Sequence, residues 1–407
     1  MELLHVIILL FTGFLVFALD KKKKRFPVPM VLVIIGICLS LLPFFSGTMA
    51  SKELIHDWFL PAVLFTAAYQ FDVKHLKKNK WFIVVLSTVG LIAGVFLLAS
   101  SIHAIGLVSL SFGGALLMAA LLMPIDSVTV ISVQQKSGQD KQIEELVEGE
   151  SLASDGTSIA LFTAASALFF SGQAIHPFVF MSDFFLQVLG GAAIGLVLGW
   201  LFSKAIHLLH DRHYQVMLSI VLAYASFYFA EHLHLASLLA VITAGLTLSY
   251  ELEKSAESLE QAYRNHLDGF WEVVEPALIA LIFLLIGLEF LTFIQWQQWP
   301  IIITVFLLTL LVRFLLLAAA AKTVPTWRRR FQWSELLLIT ISGIKGTVAV
   351  SLLLGLAAQE AQGLEHILSI AFGTVILSIV LQSLLIYPLS KWVAAHPDPS
   401  VRRFSEE

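Results

Sequence analysis

Apolar runs about as long as a bilayer is thick recur from one end of this chain to the other, and no other feature restricts its fold so severely. They fall at about 1–19, 27–45, 57–72, 81–101, 105–135, 143–171, 183–203, 214–231, 234–250, 270–291, 299–321, 333–357 and 366–394. A helix needs roughly 20 apolar residues to cross the hydrocarbon core. Backbone amides in lipid must be satisfied within the protein, so only helices or a closed barrel can cross. A barrel would show segments of about ten residues with alternating polarity, and none is seen. The chain is therefore expected to be an all-α polytopic membrane protein of about 13 transmembrane helices. Its 58% hydrophobic and 13% charged residues agree with a solvent that is mostly lipid.

Basic residues sort by loop, which predicts orientation. Asp20–Phe26, Lys74–Lys80, Lys136–Gln142, Ser203–Tyr214, Glu251–His266, Lys322–Arg330 and the C-terminal tail are alternate loops and hold 22 of the 25 Lys and Arg. The other loops hold only Lys52, while Arg313 and Lys345 lie inside spans. The N-terminus is expected outside and the C-terminus in the cytoplasm of a multi-pass cell-membrane protein. The first span has no basic leader and no small-residue cleavage site, so it is expected to be retained. Residues 1–395 form the membrane domain and 396–407 a short cytoplasmic tail. The longest polar stretch, Glu251–His266, allows no more than a surface helix. With Cys38 alone there is no internal disulfide, and a net charge of −4 with sorted basic residues implies no nucleic-acid partner.

Ionisable residues deep in a span are costly and mark function. If Lys136–Gln142 is the cytoplasmic end of a hairpin, Asp126 and Asp155 lie almost equally far from its midpoint on the outgoing and returning helices. At 1.5 Å per residue, Asp155 stands about 18 Å above a helix start near Ile143, near the midplane of a core roughly 30 Å thick. The two carboxylates are expected to face one another there. Glu148, Ser151 and Asp155 share one helix face, an acidic track from the cytoplasm. Glu150 points elsewhere at the depth of Arg313, which suggests an ion pair joining two helices.

Two spans are built to break. Pro124 lacks a backbone donor and Gly113–Gly114 weaken the fifth span, while Gly343 and Gly346 bracket Lys345 in the twelfth. Irregular backbone at membrane depth is tolerated only in protein or at a cavity. The two spans are seven apart and antiparallel, as in the inverted repeats of secondary transporters with two broken crossing helices. Lys345 can there offset the partial negative charge of freed carbonyls.

EGESLASDGTSIAL (148–161) resembles the EGES-x-x-NDG segment of monovalent cation/proton antiporters of the bacterial NhaP and animal NHE sodium/proton exchanger type. LLMPIDSVTVISV, FWEVVEPALIALIFLLIGLEF, ISGIKGTVAVSLLL and LFTAAYQFDVKHLKKN resemble further segments of that family in the same order. The resemblance covers nearly the whole chain and implies thirteen helices with an outside N-terminus. It implies that Asp155 carries cation and proton alternately, that Asp126 helps bind or shape the site, that Ser151 is a hydroxyl ligand, and that Glu150 and Arg313 are a buried structural ion pair. Lys345 stands where the family usually has Arg, keeping the charge and losing the planar fork. Ile125 and Ser127 replace the Thr and Pro of the family's Thr-Asp-Pro motif, and Ser154 replaces the Asn before Asp155. Ser127 and Ser154 join the candidate cation and proton site with Asp155, Asp126 and Ser151.

The function implied is secondary transport, one small monovalent cation (Na⁺ or Li⁺) exchanged for H⁺ by alternating access. It serves ion transport and pH homeostasis. Oxygen ligands suit such hard ions, and the proton must compete at cellular pH, as burial and a neighbouring like charge allow. Ser154 cannot ionise near neutral pH, so one-for-one, electroneutral exchange is expected. K⁺/H⁺ exchange is the runner-up, and a passive cation channel stays open, although a channel needs several weak sites in series. With no HExxH, no GxSxG and no nucleophile paired with a base, the chain is not read as an enzyme. No cofactor is expected. Membrane lipid and a second copy in a homodimer are the expected partners. Asp72, Glu275 and Glu289 read as interfacial, Gln70 and Thr66 as possible entry-path residues, and Gly190, Gly191, Gly195 and Gly199 as a helix-packing stripe.

Overall fold

The computed structural model describes residues 3–23, 27–45, 51–106, 110–134, 141–171, 177–209, 211–254, 257–323, 331–359 and 364–396. The tail from 397 onward and parts of several basic loops lie outside the described residues. Among the described residues every regular element is a helix. These are α1 (Leu3–Lys23), α2 (Val28–Ser40), α3 (Leu60–Gln70), α4 (Val73–Val85), α5 (Leu91–Ile105), α6 (Phe112–Leu122), α7 (Ser127–Gln134), α8 (Lys141–Ser171) and α9 (Pro177–Leu208). They continue as α10 (Arg212–His232), α11 (Ser237–Glu253), α12 (Glu257–Leu288), α13 (Phe290–Phe293), α14 (Trp299–Thr323), α15 (Trp333–Ser342), α16 (Thr347–Ala357), α17 (Leu364–Leu377) and α18 (Ser383–Ala395). Short π-helical turns at Leu54–Phe59, Leu86–Gly90 and Ser378–Gln382 lead into α3, join α4 to α5 and join α17 to α18.

Eight of these stretches are long and apolar enough to cross a membrane, and α15 with α16, bent by 42° at their junction, makes a ninth. The remaining four expected spans are the shorter or more polar α2, α3, α10 and α11. Each of the thirteen expected spans thus carries a helix.

Helix contacts sort the spans into two groups. α1, α2, α3, α9, α10, α11 and α12 pack on one another as a scaffold, with α9 against α11, α2 against α12 and α3 against α11. The glycine stripe explains the first of these contacts. A Cβ on Gly191 would meet the carbonyl of Ala236, and one on Gly199 would meet Thr247 and Ala244, so the two helices lie backbone to backbone. The second group is two triplets of spans, α4–α5, α6–α7 and α8 followed by α14, α15–α16 and α17–α18, each with its middle span broken. Seven spans separate the two breaks, so the triplets run in opposite directions, which is the inverted repeat.

One buried ion pair ties this bundle together. Arg313 on α14 donates from both terminal nitrogens to the two carboxylate oxygens of Glu150 on α8, each at 3.0 Å, and reaches the carbonyl of Ile339 on α15 at 3.4 Å. Gly343 lets the chain lie directly on the guanidinium, since a Cβ there would collide with Arg313 Nε. The two partners are 3% and 6% exposed, so neither charge is hydrated. Alanine at either position strands its partner in low dielectric, at a cost of about 3–5 kcal/mol. Both single variants should therefore melt well below the parent in detergent, and E150R/R313E should recover part of the loss. Parental melting of either alanine variant would remove the pair from this role.

Candidate functional site

Both broken spans unwind at the same depth and meet. α6 ends at Leu122, Pro124 has no N–H to continue it, and α7 begins at Ser127. α15 ends at Ser342, and α16 begins at Thr347 beyond Gly343–Gly346. The unwound strands hydrogen-bond directly, with Asp126 N–H donating to the carbonyl of Ile344 at 2.9 Å.

Asp126 completes this crossing. One carboxylate oxygen accepts from the backbone N–H of Thr129 at 2.9 Å and from its hydroxyl, in the first turn of α7. The other accepts from the backbone N–H of Thr347 at 3.0 Å and from its hydroxyl, in the first turn of α16. A single side chain thus caps two half-helices, whose first N–H groups have no partner within their own helices. Gly346 makes the approach possible, because a Cβ there would fall 2.5 Å from Asp126 Oδ2 and 2.6 Å from the Thr129 hydroxyl oxygen.

Asp155 lies against the same crossing on α8. Its Oδ2 accepts from the backbone N–H of Ser127 at 3.0 Å and from the Ser127 hydroxyl at 2.5 Å. Its Oδ1 is buried and has no hydrogen-bond partner among the described residues. A carboxylate oxygen left open while its twin is held can accept either a proton or a small cation.

The other candidates take different places. The Ser151 hydroxyl donates to the carbonyl of Glu148 at 2.8 Å, a bond within its own helix. Ser154 is buried and lines a cavity of only about 20 Å³ with Glu150, Arg313, Met123 and Ile125. Lys345 is fully buried, with its backbone N–H donating to the Ser378 hydroxyl at 2.8 Å and its Nζ 3.4 Å from the carbonyl of Gly343. Gln382 meets the same end of α15, donating to the carbonyls of Ile341 at 2.8 Å and Gly343 at 3.2 Å while accepting from Ser378. Lys345 therefore shares the freed carbonyls with a side chain that the sequence reading passed over. Thr374, Ser378 and Gln382 recur every four residues in an otherwise apolar run, a signal that was available.

A cavity of about 740 Å³ opens at the end of the molecule that carries the basic loops. Asp72, Glu145, Glu148, Asp268, Glu272 and Glu275 line it together with Gln70, Ser132 and, among the described residues, one basic residue, Arg264. Asp72 and Glu275 are thus walls of a cavity and not only interfacial groups. Asp268, Glu272 and Glu275 form one face of α12, a spacing readable in DGFWEVVE. Glu148 stands two turns below Asp155 on α8, about 10 Å along the axis, so the acidic track leads from this cavity toward the open carboxylate.

The comparisons agree with this architecture. The family profile described as sodium/hydrogen exchanger, transmembrane, matches residues 6–392. The Na⁺/H⁺ antiporter NhaH of Halobacillus dabanensis is 29% identical over 400 residues, which cover 95% of this chain and 97% of that one. The Na⁺/H⁺ antiporter NhaP of Pseudomonas aeruginosa is 30% identical over 353 residues, covering 84% and 82% of the two chains. The solved structure of the sodium proton antiporter MjNhaP1 from Methanocaldococcus jannaschii superposes with a TM-score of 0.75 at 19% identity, over 97% of this chain and all of that one. With a profile match that runs from the first span to the last and takes in both helix breaks, this chain belongs to the transmembrane sodium/hydrogen exchanger family.

Proposed function

We propose that this protein is a cation/proton antiporter of the cell membrane that exchanges Na⁺ or Li⁺ for H⁺ at Asp155. The unpartnered Oδ1 of Asp155 carries the reading. A proton and a small hard cation both seek a carboxylate oxygen, and they exclude one another at a single open position. Asp126 is unsuited to the same task because both of its oxygens already serve helix ends, so its part is to shape the site. Ser127 orients Asp155 through Oδ2 and leaves Oδ1 directed to the ligand. Ser151, whose hydroxyl is engaged within α8, would have to rotate away from Glu148 before it could join a cation.

The acid-lined cavity is the entrance from the cytoplasm in this reading, because the basic loops gather at the same end. Its carboxylates concentrate cations ahead of the site. Exchange driven by one gradient against another needs no cofactor. The exposed leucine and phenylalanine side chains along α1 and α9 suit lipid, and part of that surface suits a second copy in a homodimer. The related antiporters named above favour Na⁺ over the K⁺/H⁺ alternative.

Asp155→Asn should abolish cation-driven proton flux in proteoliposomes and leave the melting temperature near that of the parent, since the amide still accepts from Ser127 yet cannot trade a proton for a cation. Normal flux in that variant would overturn the assignment. Asp126→Asn should behave differently. An amide nitrogen must then face an N–H of Thr129 or Thr347, so about 1–3 kcal/mol of stability should go with the activity. Finally, one carboxyl exchanging one H⁺ for one monovalent cation moves no net charge, and Ser154 supplies no second ionisable group. The rate should ignore a membrane potential clamped with K⁺ and valinomycin, and a voltage-dependent rate would rule out one-for-one exchange.

A further inference from the structure

An exchanger must be shut at one end while open at the other, and at the end away from the basic loops a specific contact joins the two groups of helices. α16 runs from the crossing toward that end, with Thr347, Ser351 and Gly355 each one turn apart along one side. Thr347 bonds Asp126 at the crossing. Ser351, fully buried, shares a hydrogen bond of 3.0 Å with Nδ1 of His56, which is 3% exposed. Gly355 lies against the stem of Lys52, where a Cβ would come within 2.9 Å of the Lys52 Cδ.

His56 and Lys52 belong to the scaffold. The π-helical turn Leu54–Phe59 that carries His56 continues into α3, and the Tyr224 hydroxyl of α10 donates to the carbonyl of Trp58 at 2.7 Å, fastening the turn to its own group. The His56 ring also meets Phe227 of α10 edge-on at 5.5 Å. Such π turns are uncommon and concentrate where a side chain has a specific task. A cavity of about 680 Å³ opens beside the contact at the same end, lined by Lys52, Asp57, Trp58, Tyr224, Phe227 and Glu231.

We propose that the buried His56–Ser351 hydrogen bond is the latch that holds the outer end shut, joining the scaffold to the broken-helix bundle and opening each time Asp155 turns to face outward. The inference rests on the exchange reading above. It assigns a positioning role to two residues that lie outside the cation site.

Loss of one buried neutral hydrogen bond should shift the balance between inward- and outward-facing forms about threefold to tenfold. In Ser351→Ala and His56→Ala, the Na⁺ concentration giving half-maximal exchange should fall at the outer face, measured in right-side-out vesicles. At the cytoplasmic face, measured in everted vesicles, it should rise. The double variant should go no further than either single one, and His56→Asn, whose amide can stand in for Nδ1, should restore the parental balance. Unchanged half-saturation at both faces, or an equal change at both, would overturn the latch.

Hydrogen–deuterium exchange of purified Ser351→Ala needs no transport and so separates this idea from the exchange reading. Amides of 51–59 and 347–357 should exchange faster while those of α12 around the acid-lined cavity become more protected. An unaltered pattern would overturn the latch even if the parent transported nothing, and absent cation-driven flux in the parent would instead overturn the exchange reading.

Discussion

The carboxylate of Asp126 holds two helix ends together, one oxygen on each. Each break frees backbone N–H groups in a region without bulk water, where an unmet donor costs several kcal/mol. Asp126 gives one oxygen to α7 and the other to α16, with the Thr129 and Thr347 hydroxyls completing each set. The charge also balances. A helix N-terminus behaves as roughly half a positive charge, so two of them match one carboxylate. Gly346 is part of the same solution, because no side chain fits between the strands at that point.

From this crossing follows a division of labour between two acids that sequence spacing places at equal depth. Asp126 is saturated by the protein, and Asp155 is half-saturated. Ser127, the residue beside Asp126, turns its N–H and hydroxyl to Oδ2 of Asp155 and so links the second acid to the first without sharing a ligand. The neighbouring charges do not compete for the open oxygen. Glu150 and Arg313 neutralise each other in a two-pronged contact, which gives the bundle a join between α8 and α14. At the opposite pole of the crossing the carbonyls of α15 are met by Gln382 and Lys345.

Much of this was legible in the sequence because membrane physics leaves few options. Thirteen apolar runs, two antiparallel spans with proline or glycine at their centres, and equal residue counts from one hairpin to Asp126 and Asp155 point to the helices, to the breaks and to the meeting of the two acids at one crossing. The equal depth of Glu150 and Arg313 gave their pairing in the same way. Spacing could not give hydrogen-bond saturation. Which oxygen of Asp126 or Asp155 stays open depends on the path of the unwound backbone, and Thr347 is a cap only because that path brings it to Asp126. The resemblance implies Ser151 as a hydroxyl ligand, and spacing could not tell that in this structure its hydroxyl bonds a carbonyl one turn back, as a helical serine readily does. Asp72 and Glu275 read as interfacial because hydropathy records the residues of a span and not the cavity that lets water reach them.

The distribution of contacts between the two groups of helices also bears on how a cation could cross. Every hydrogen bond that shapes the site, from Asp126 to Thr129 and Thr347 and from Asp155 to Ser127, lies inside the broken-helix bundle. So does the Glu150–Arg313 pair. The bundle can therefore rock against the scaffold with the site intact, carrying its open carboxylate oxygen as a preformed unit. α16 is about 16 Å long at 1.5 Å per residue, stiff, and fixed at its inner end by Asp126. Its far end meets residues 52–56 of the scaffold, so movement of the bundle must disturb the contact there. In the proposed exchange cycle the two faces of the membrane would differ in access to Asp155 and not in the ligands offered, so that one acid could serve both halves of the cycle.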